Sequence, residues 1–162
     1  MAEEGRTVLT GPHAAAIASD PGSSEDAVRT LLAAAPDATA AASTTVTVHG
    51  EGGLTLLHLA AAMGNEAAAR LLLEAAPSTA SALTADGSTP LLAAAACGHS
   101  GIVSLLLAAA PATARAANLH GQLPIHLAVA EGHSESVRML LAAAPDTALI
   151  KLIRSRAAPH CI

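Results

Sequence analysis

Eight histidines, two cysteines and thirteen acidic residues are the groups in this 162-residue chain with the chemistry for catalysis or metal binding. Their spacing assembles neither. The histidines contain no HExxH or equivalent ligand spacing, so two imidazoles are not set on one helix face to grip a zinc ion. Cys97 and Cys161 stand far apart, form no metal or redox motif and fit a reduced compartment. Cys97 has no base near it in the sequence to generate a thiolate, which leaves it a small packing residue or a casual thiol. The carboxylates Glu51, Glu66, Glu74, Asp86, Glu131 and Glu135 are scattered along the chain. Gly-Glu-Gly-Gly at 50–53 lacks the Lys-Ser/Thr that completes a phosphate loop and reads as a turn. No catalytic residue, metal ligand or cofactor is expected, and the chain reads as a non-enzyme.

The elements that must carry these side chains announce themselves by repetition. LLAAAP occurs at 31–36, 106–111 and 140–145, and LLEAAP at 72–77. The steps from Pro77 to Pro111 and from Pro111 to Pro145 are 34 residues each, a fixed period that marks a repeat architecture. Full units run over 51–84, 85–118 and 119–152. In them Gly53, Gly87 and Gly121 align, as do Gly64, Gly98 and Gly132.

Each unit therefore reads as turn, short helix, tight turn, second helix and loop. Pro90 and Pro124 fit the first turn of the first helix, where a missing N–H costs nothing. The second helix shows apolar residues at i, i+3, i+4 and i+7: Ala69, Leu72, Leu73, Ala76; then Val103, Leu106, Leu107, Ala110; then Val137, Leu140, Leu141, Ala144. Pro77, Pro111 and Pro145 stop it, because proline disfavours the helical conformation in the residue before it. One such hairpin cannot bury its apolar face alone, so neighbouring units must stack.

Outside the regular units, residues 13–50 read as a degenerate N-terminal repeat in which Val28, Leu31, Leu32, Ala35 and Pro36 reproduce the second helix. The interval from Pro36 to Gly53 is 17 residues against 10 from Pro77 to Gly87, a seven-residue insertion. Its alternating Thr and Val fit an extended β-hairpin. Residues 153–162 form an irregular tail. There Leu149, Ile150, Leu152 and Ile153, just before and at its start, either cover the last exposed face of the array or mark a truncated one. The whole is a single domain, 1–162.

Composition bounds the rest. With 52% apolar and 13% charged residues the chain can form a core, and without Phe, Tyr or Trp that core is aliphatic and closely packed. A net charge of −5 argues against nucleic acid as a partner. No apolar run reaches the ~18–20 residues needed to span a bilayer, and the acidic start MAEEGRTVLTGPH is unlike a leader, so no membrane partner is expected. The default compartment is the cytoplasm, with the nucleus open, and the expected state is a monomer.

TLLH at 55–58, TPLL at 89–92 and LPIH at 123–126 resemble the TPLH signature of the ankyrin-repeat family. The glycine followed by His99 or His133 and the Val/Leu-Leu block resemble the remainder of the ankyrin unit. A period of 34 also belongs to tetratricopeptide repeats, but those require bulky aromatic positions that this chain lacks. The 34-residue unit ending in AAP resembles ankyrin arrays of microalgae. The resemblance covers 51–148 and implies an all-α, ankyrin-type α-solenoid of stacked helix-turn-helix repeats with short β-hairpin tips. It implies a structural hydrogen bond between repeats for His58 and His126, and a turn role for His99 and His133.

It also implies a function: a non-catalytic protein–protein interaction module that binds a protein partner through hairpin tips and the concave helix face. Carried over by aligned position, the partner-binding candidates are Glu51, Leu54, Met63, Asp86, Ser88, Cys97, His120, Gln122 and Glu131, with Leu119 among the tip positions. Met63, Cys97 and Glu131 should form one stripe, and Leu54, Ser88 and Gln122 another. The alternatives are a structural or truncated repeat fragment without its own partner, an enzyme with a cryptic site, and a histidine metal site.

Overall fold

The computed structural model describes residues 45–48 and 51–145, together with Asp26, Arg29 and Ala33. Strand β1 (Thr45–Val48) pairs antiparallel with β2 (Glu51–Thr55). Thr45 faces Thr55, Val46 faces Leu54, and a bulge separates these pairs from Val48 opposite Glu51. This ribbon is the hairpin that the Thr/Val alternation predicts. Three helix pairs follow: α1 (Leu56–Met63) with α2 (Glu66–Ala75), α3 (Pro90–Cys97) with α4 (Ser100–Ala109), and α5 (Pro124–Ala130) with α6 (Ser134–Ala143). The helix pairs stack, with α1, α3 and α5 side by side in an inner layer and α2, α4 and α6 in an outer one. The chain thus has the all-α repeat architecture expected of it.

Local sequence sets these boundaries. Thr55 and Thr89 precede α1 and α3, and each hydroxyl accepts a hydrogen bond from a first-turn N–H, that of His58 at 3.4 Å and of Leu92 at 3.3 Å. Leu123 takes this place before α5 and has no side-chain oxygen to offer. Pro90 and Pro124 occupy the first turn of their helices. The six aligned glycines all have φ between 72° and 86°, in the left-handed region.

The prolines that end the outer helices do more than stop them. Pro77 and Pro111 each start a 3₁₀ turn, Pro77–Ser81 and Pro111–Arg115, that the sequence reading did not anticipate. Thr79 and Thr113 within these turns donate their hydroxyls to the carbonyls of Ala76 and Ala110 at 2.6 Å, satisfying acceptors that a helix end leaves open.

The outer helices bury a face displaced by one residue from the predicted one. Ala68, Ala69 and Leu72 are buried in α2, and Ile102, Val103 and Leu106 in α4, whereas Leu73 and Leu107 are only half-buried. The reason is that an outer helix has two contacts, its own inner helix and the outer helix beside it, and the i, i+1, i+4 edge points between them. Each of Leu72, Leu106 and Leu140 is fully buried, worth about 1.5–3 kcal/mol of transfer free energy apiece.

The expected degenerate repeat over 13–50 lies outside the described residues except for Asp26, Arg29 and Ala33, which are helical, and for β1. Arg29 borders a shallow depression with Glu66, Arg70 and Glu74 of α2. The tail over 153–162, with Cys161, is outside them too.

Candidate interaction surface

The histidines are absorbed by the frame. His58 is 1% exposed, and its Nδ1 accepts from the Thr55 backbone N–H at 3.1 Å while lying 2.9 Å from the Thr55 hydroxyl. That leaves Nε2 to carry the proton and donate to the Ser88 carbonyl of the next unit at 3.1 Å. Burial pushes the imidazole below its ordinary value, despite the opposing pull of the Ser88 carbonyl and the Asp86 charge. His126 begins the same pattern, its Nδ1 accepting from the Leu123 N–H at 3.2 Å. The middle unit has Leu92 there, buried in the same place.

His99 and His133 reach backwards. His99 Nε2 donates to the Ala62 carbonyl at 3.1 Å and His133 Nε2 to the Ala96 carbonyl at 3.0 Å, each in the last turn of the preceding unit's inner helix. Their rings lie on Gly64 and Gly98. A Cβ at Gly98 would come within 2.5 Å of the His133 ring, so glycine there is required by the close approach as well as by φ. Asn65 replaces histidine in the first unit and turns its oxygen to the Ala68 N–H at 3.0 Å as a helix cap.

The hairpin tips are tight turns joined to one another. Thr84 N–H donates to Ser88 O at 3.0 Å and Gly87 N–H to Thr84 O at 2.9 Å, and Leu119 N–H of the third unit donates to Asp86 O at 2.9 Å. The Asp86 carboxylate accepts from the hydroxyls of Ser88, at 2.6 Å, and Thr84. Those two hydroxyls hold its carboxyl below the usual carboxylate range. In the next tip Asn118 performs this task, its Oδ1 accepting from the N–H groups of His120 and Gln122 at 3.1 and 2.9 Å. His120, at the position of Asp86, therefore does not brace its own turn.

The candidate residues fall out as follows. Met63 and Cys97 are the last residues of α1 and α3, Glu131 directly follows α5, and all three are exposed at equivalent points of helices packed side by side. Leu54 and Ser88 are half-buried and Gln122 is exposed. Glu51 lies in β2 opposite Val48, within the ribbon. Asp86 and His120 are exposed on the tips. Leu119, 79% exposed, and Leu83, 59% exposed, add apolar surface beside them. Leu83 was missed; its one sequence signal is a leucine set between Ala82 and the Thr84–Gly87 turn. Among the described residues no group of three or more His, Cys, Asp and Glu is placed to hold a metal. Among them, also, no helix is long and apolar enough to cross a membrane.

Stacked helix pairs with glycine-punctuated turns and histidine ties between neighbours define a helical repeat protein. The ankyrin-repeat profile built from three copies matches residues 76–151, and the single ankyrin-repeat profile matches residues 52–81. The chain belongs to the ankyrin-repeat family. No curated protein matches it. Ankyrin repeats are in general non-enzymatic and serve as protein–protein interaction modules.

Proposed function

We propose that this chain is a non-catalytic interaction module that holds a protein partner along its hairpin tips and the concave side of its inner helices. The observation that carries the reading is the contrast between fixed and variable positions in the stacked units. Ala60, Ala94 and Ala128 are identical and fully buried, while Met63, Cys97 and Glu131, three residues further on, differ and are exposed. A surface whose letters change on a frame whose letters do not can be shaped to one partner without disturbing the fold.

The chemistry of this surface points to a partner with apolar groups. Met63, Leu83 and Leu119 supply exposed apolar area, and with no aromatic residue in the chain the affinity should be modest. The net charge of −5 is in keeping with a protein partner rather than nucleic acid or an anionic membrane. The same reading takes the module to be a monomer working in the cytoplasm or nucleus.

The test compares proteins captured from native extract by the wild type and by a Met63→Arg, Leu119→Glu, His120→Glu variant of equal helicity. Asp86 is left in place because its carboxylate braces its own turn. Proteins kept by the wild type and lost by the variant, then shown to bind directly with purified components, support the reading. Identical lists, or none, put an array that only spaces or solubilises its neighbours in its place.

A further inference from the structure

The charges of this array are sorted by layer. The tips with their inner helices, 51–64, 85–98 and 119–132, contain Glu51, Asp86 and Glu131 and no lysine or arginine. The arginines of the three units, Arg70, Arg115 and Arg138, fall in the outer helices and in the 3₁₀ turn that follows α4. There Arg70 Nη2 donates to Glu66 Oε1 at 3.1 Å and Arg138 Nη2 to Glu135 Oε1 at 2.7 Å, so two of the outer carboxylates carry their own counter-charge.

Helix direction adds to the inner charge. Helices α1, α3 and α5 lie side by side and end at Met63, Cys97 and Ala130, with no basic residue in the last turn of any of them. Each such end carries about half a negative charge from its peptide dipoles. His99 and His133 answer one carbonyl apiece in the last turns of α1 and α3. At α5 the exposed Glu131 adds a full negative charge, at a position where the helix dipole disfavours a carboxylate. The described ion pairs, Glu66–Arg70 and Glu135–Arg138, do not include it.

Aliphatic surface lies beside these charges. Leu119, 79% exposed, donates its N–H to the Asp86 carbonyl and so stands on the neighbouring tip next to that residue. The hydroxyls of Ser88 and Thr84 keep the Asp86 carboxylate ionised. Met63, 54% exposed, and Cys97 continue the row that ends at Glu131. Packed helices stand ~8–10 Å apart, so the row from Met63 to Glu131 runs roughly 16–20 Å. That is about five or six residues of extended chain.

We infer, resting on the interaction reading above, that the partner presents a basic and aliphatic polypeptide segment: lysine or arginine set against Glu131 and Asp86, and aliphatic side chains against Met63 and Leu119. Along the row of helix ends its basic residue and its aliphatic residue stand about five or six positions apart. An acidic segment is repelled from the same face.

A displayed library of random peptides about 16 residues long, enough to span the row more than twice over, is selected on the full chain, and the winners are made as free peptides. Winners rich in Lys or Arg together with Leu, Ile, Val or Met are expected. Their Kd should rise about tenfold or more on Glu131→Lys, and should rise also when NaCl is raised from about 50 to 300 mM. It should change less than about twofold on Glu74→Lys, the same charge change at an exposed position of α2. All variants are checked for equal helicity. Winners without basic residues, or equal losses at Glu131 and Glu74, overturn the charge assignment. If such winners are nonetheless lost on the Met63→Arg, Leu119→Glu, His120→Glu variant, the interaction reading stands without it. Winners that bind that variant as tightly as the wild type, or no winners at all, overturn both.

Discussion

The junctions inside the array and the face at the end of the third unit are written in nearly the same letters yet hold their residues differently. Gly98 and Gly132 share a φ near 78°, but the His133 ring rests on Gly98 whereas no described residue lies near the place of a Cβ at Gly132. Ile102 and Ser136 occupy equivalent positions of α4 and α6 and both are buried, one apolar and one with a hydroxyl that finds no partner among the described residues. A position in a repeat protein is thus defined twice, once by its place in the unit and once by what stacks on the unit. Only the first of these is periodic.

The largest expected effect lies inside a junction. Ile102→Ala should cost about 2–5 kcal/mol in denaturant unfolding, because the helices on either side cannot close the cavity. Losing less than about 1 kcal/mol would show that the outer layer is loosely packed.

The glycine pair isolates stacking from backbone conformation. Gly132→Ala should cost about 1–2 kcal/mol for a left-handed alanine. Gly98→Ala carries that cost and also displaces the His133 ring, breaking its bond to Ala96. Its destabilisation should exceed that of Gly132→Ala by about 1 kcal/mol or more. Equal values would mean that the histidine tie adds nothing to the junction.

At the third unit, Ser136→Ala should stabilise the fold by about 1 kcal/mol, since it removes a buried hydroxyl with no partner among the described residues. The reverse sign would show that the hydroxyl is satisfied in solution.

The smallest effect concerns pH. The folded-state pKa of His58 lies below the ordinary imidazole value near 6.5, so the unfolded chain binds the extra proton first. The stability tied to His58 is complete above about pH 6.5 and declines as pH falls from there toward the folded value. Urea melts of the wild type and of His58→Leu across pH 5–8 should show a shallower slope in the variant. The first junction, bridged by His58 and Ser88, should supply this slope, because the second junction has Leu92 in the histidine's place.

Much of this was legible in the sequence because local physics and the period agree. The prolines at 90 and 124, the left-handed glycines and the three AAP stops each act within a turn of chain, so repetition makes them plain. The role of Asp86 was not. Its letter and its tip position suited a partner contact, but the hydroxyls of Thr84 and Ser88, two residues away on either side, hold the carboxylate for the turn itself. The burial of Ala68 and Ile102 in preference to Leu73 and Leu107 was hidden as well, since periodicity gives the width of an apolar stripe and not the direction in which a second helix approaches it.

The sequence by itself determined the unit, its length, its helix boundaries and its family, because each depends on the conformational preferences of residues a few places apart. Tertiary structure alone decided that His99 and His133 tie each unit to the one before through carbonyls 37 residues away. Such choices rest on which groups stacking brings within hydrogen-bond reach, and no single unit contains both partners.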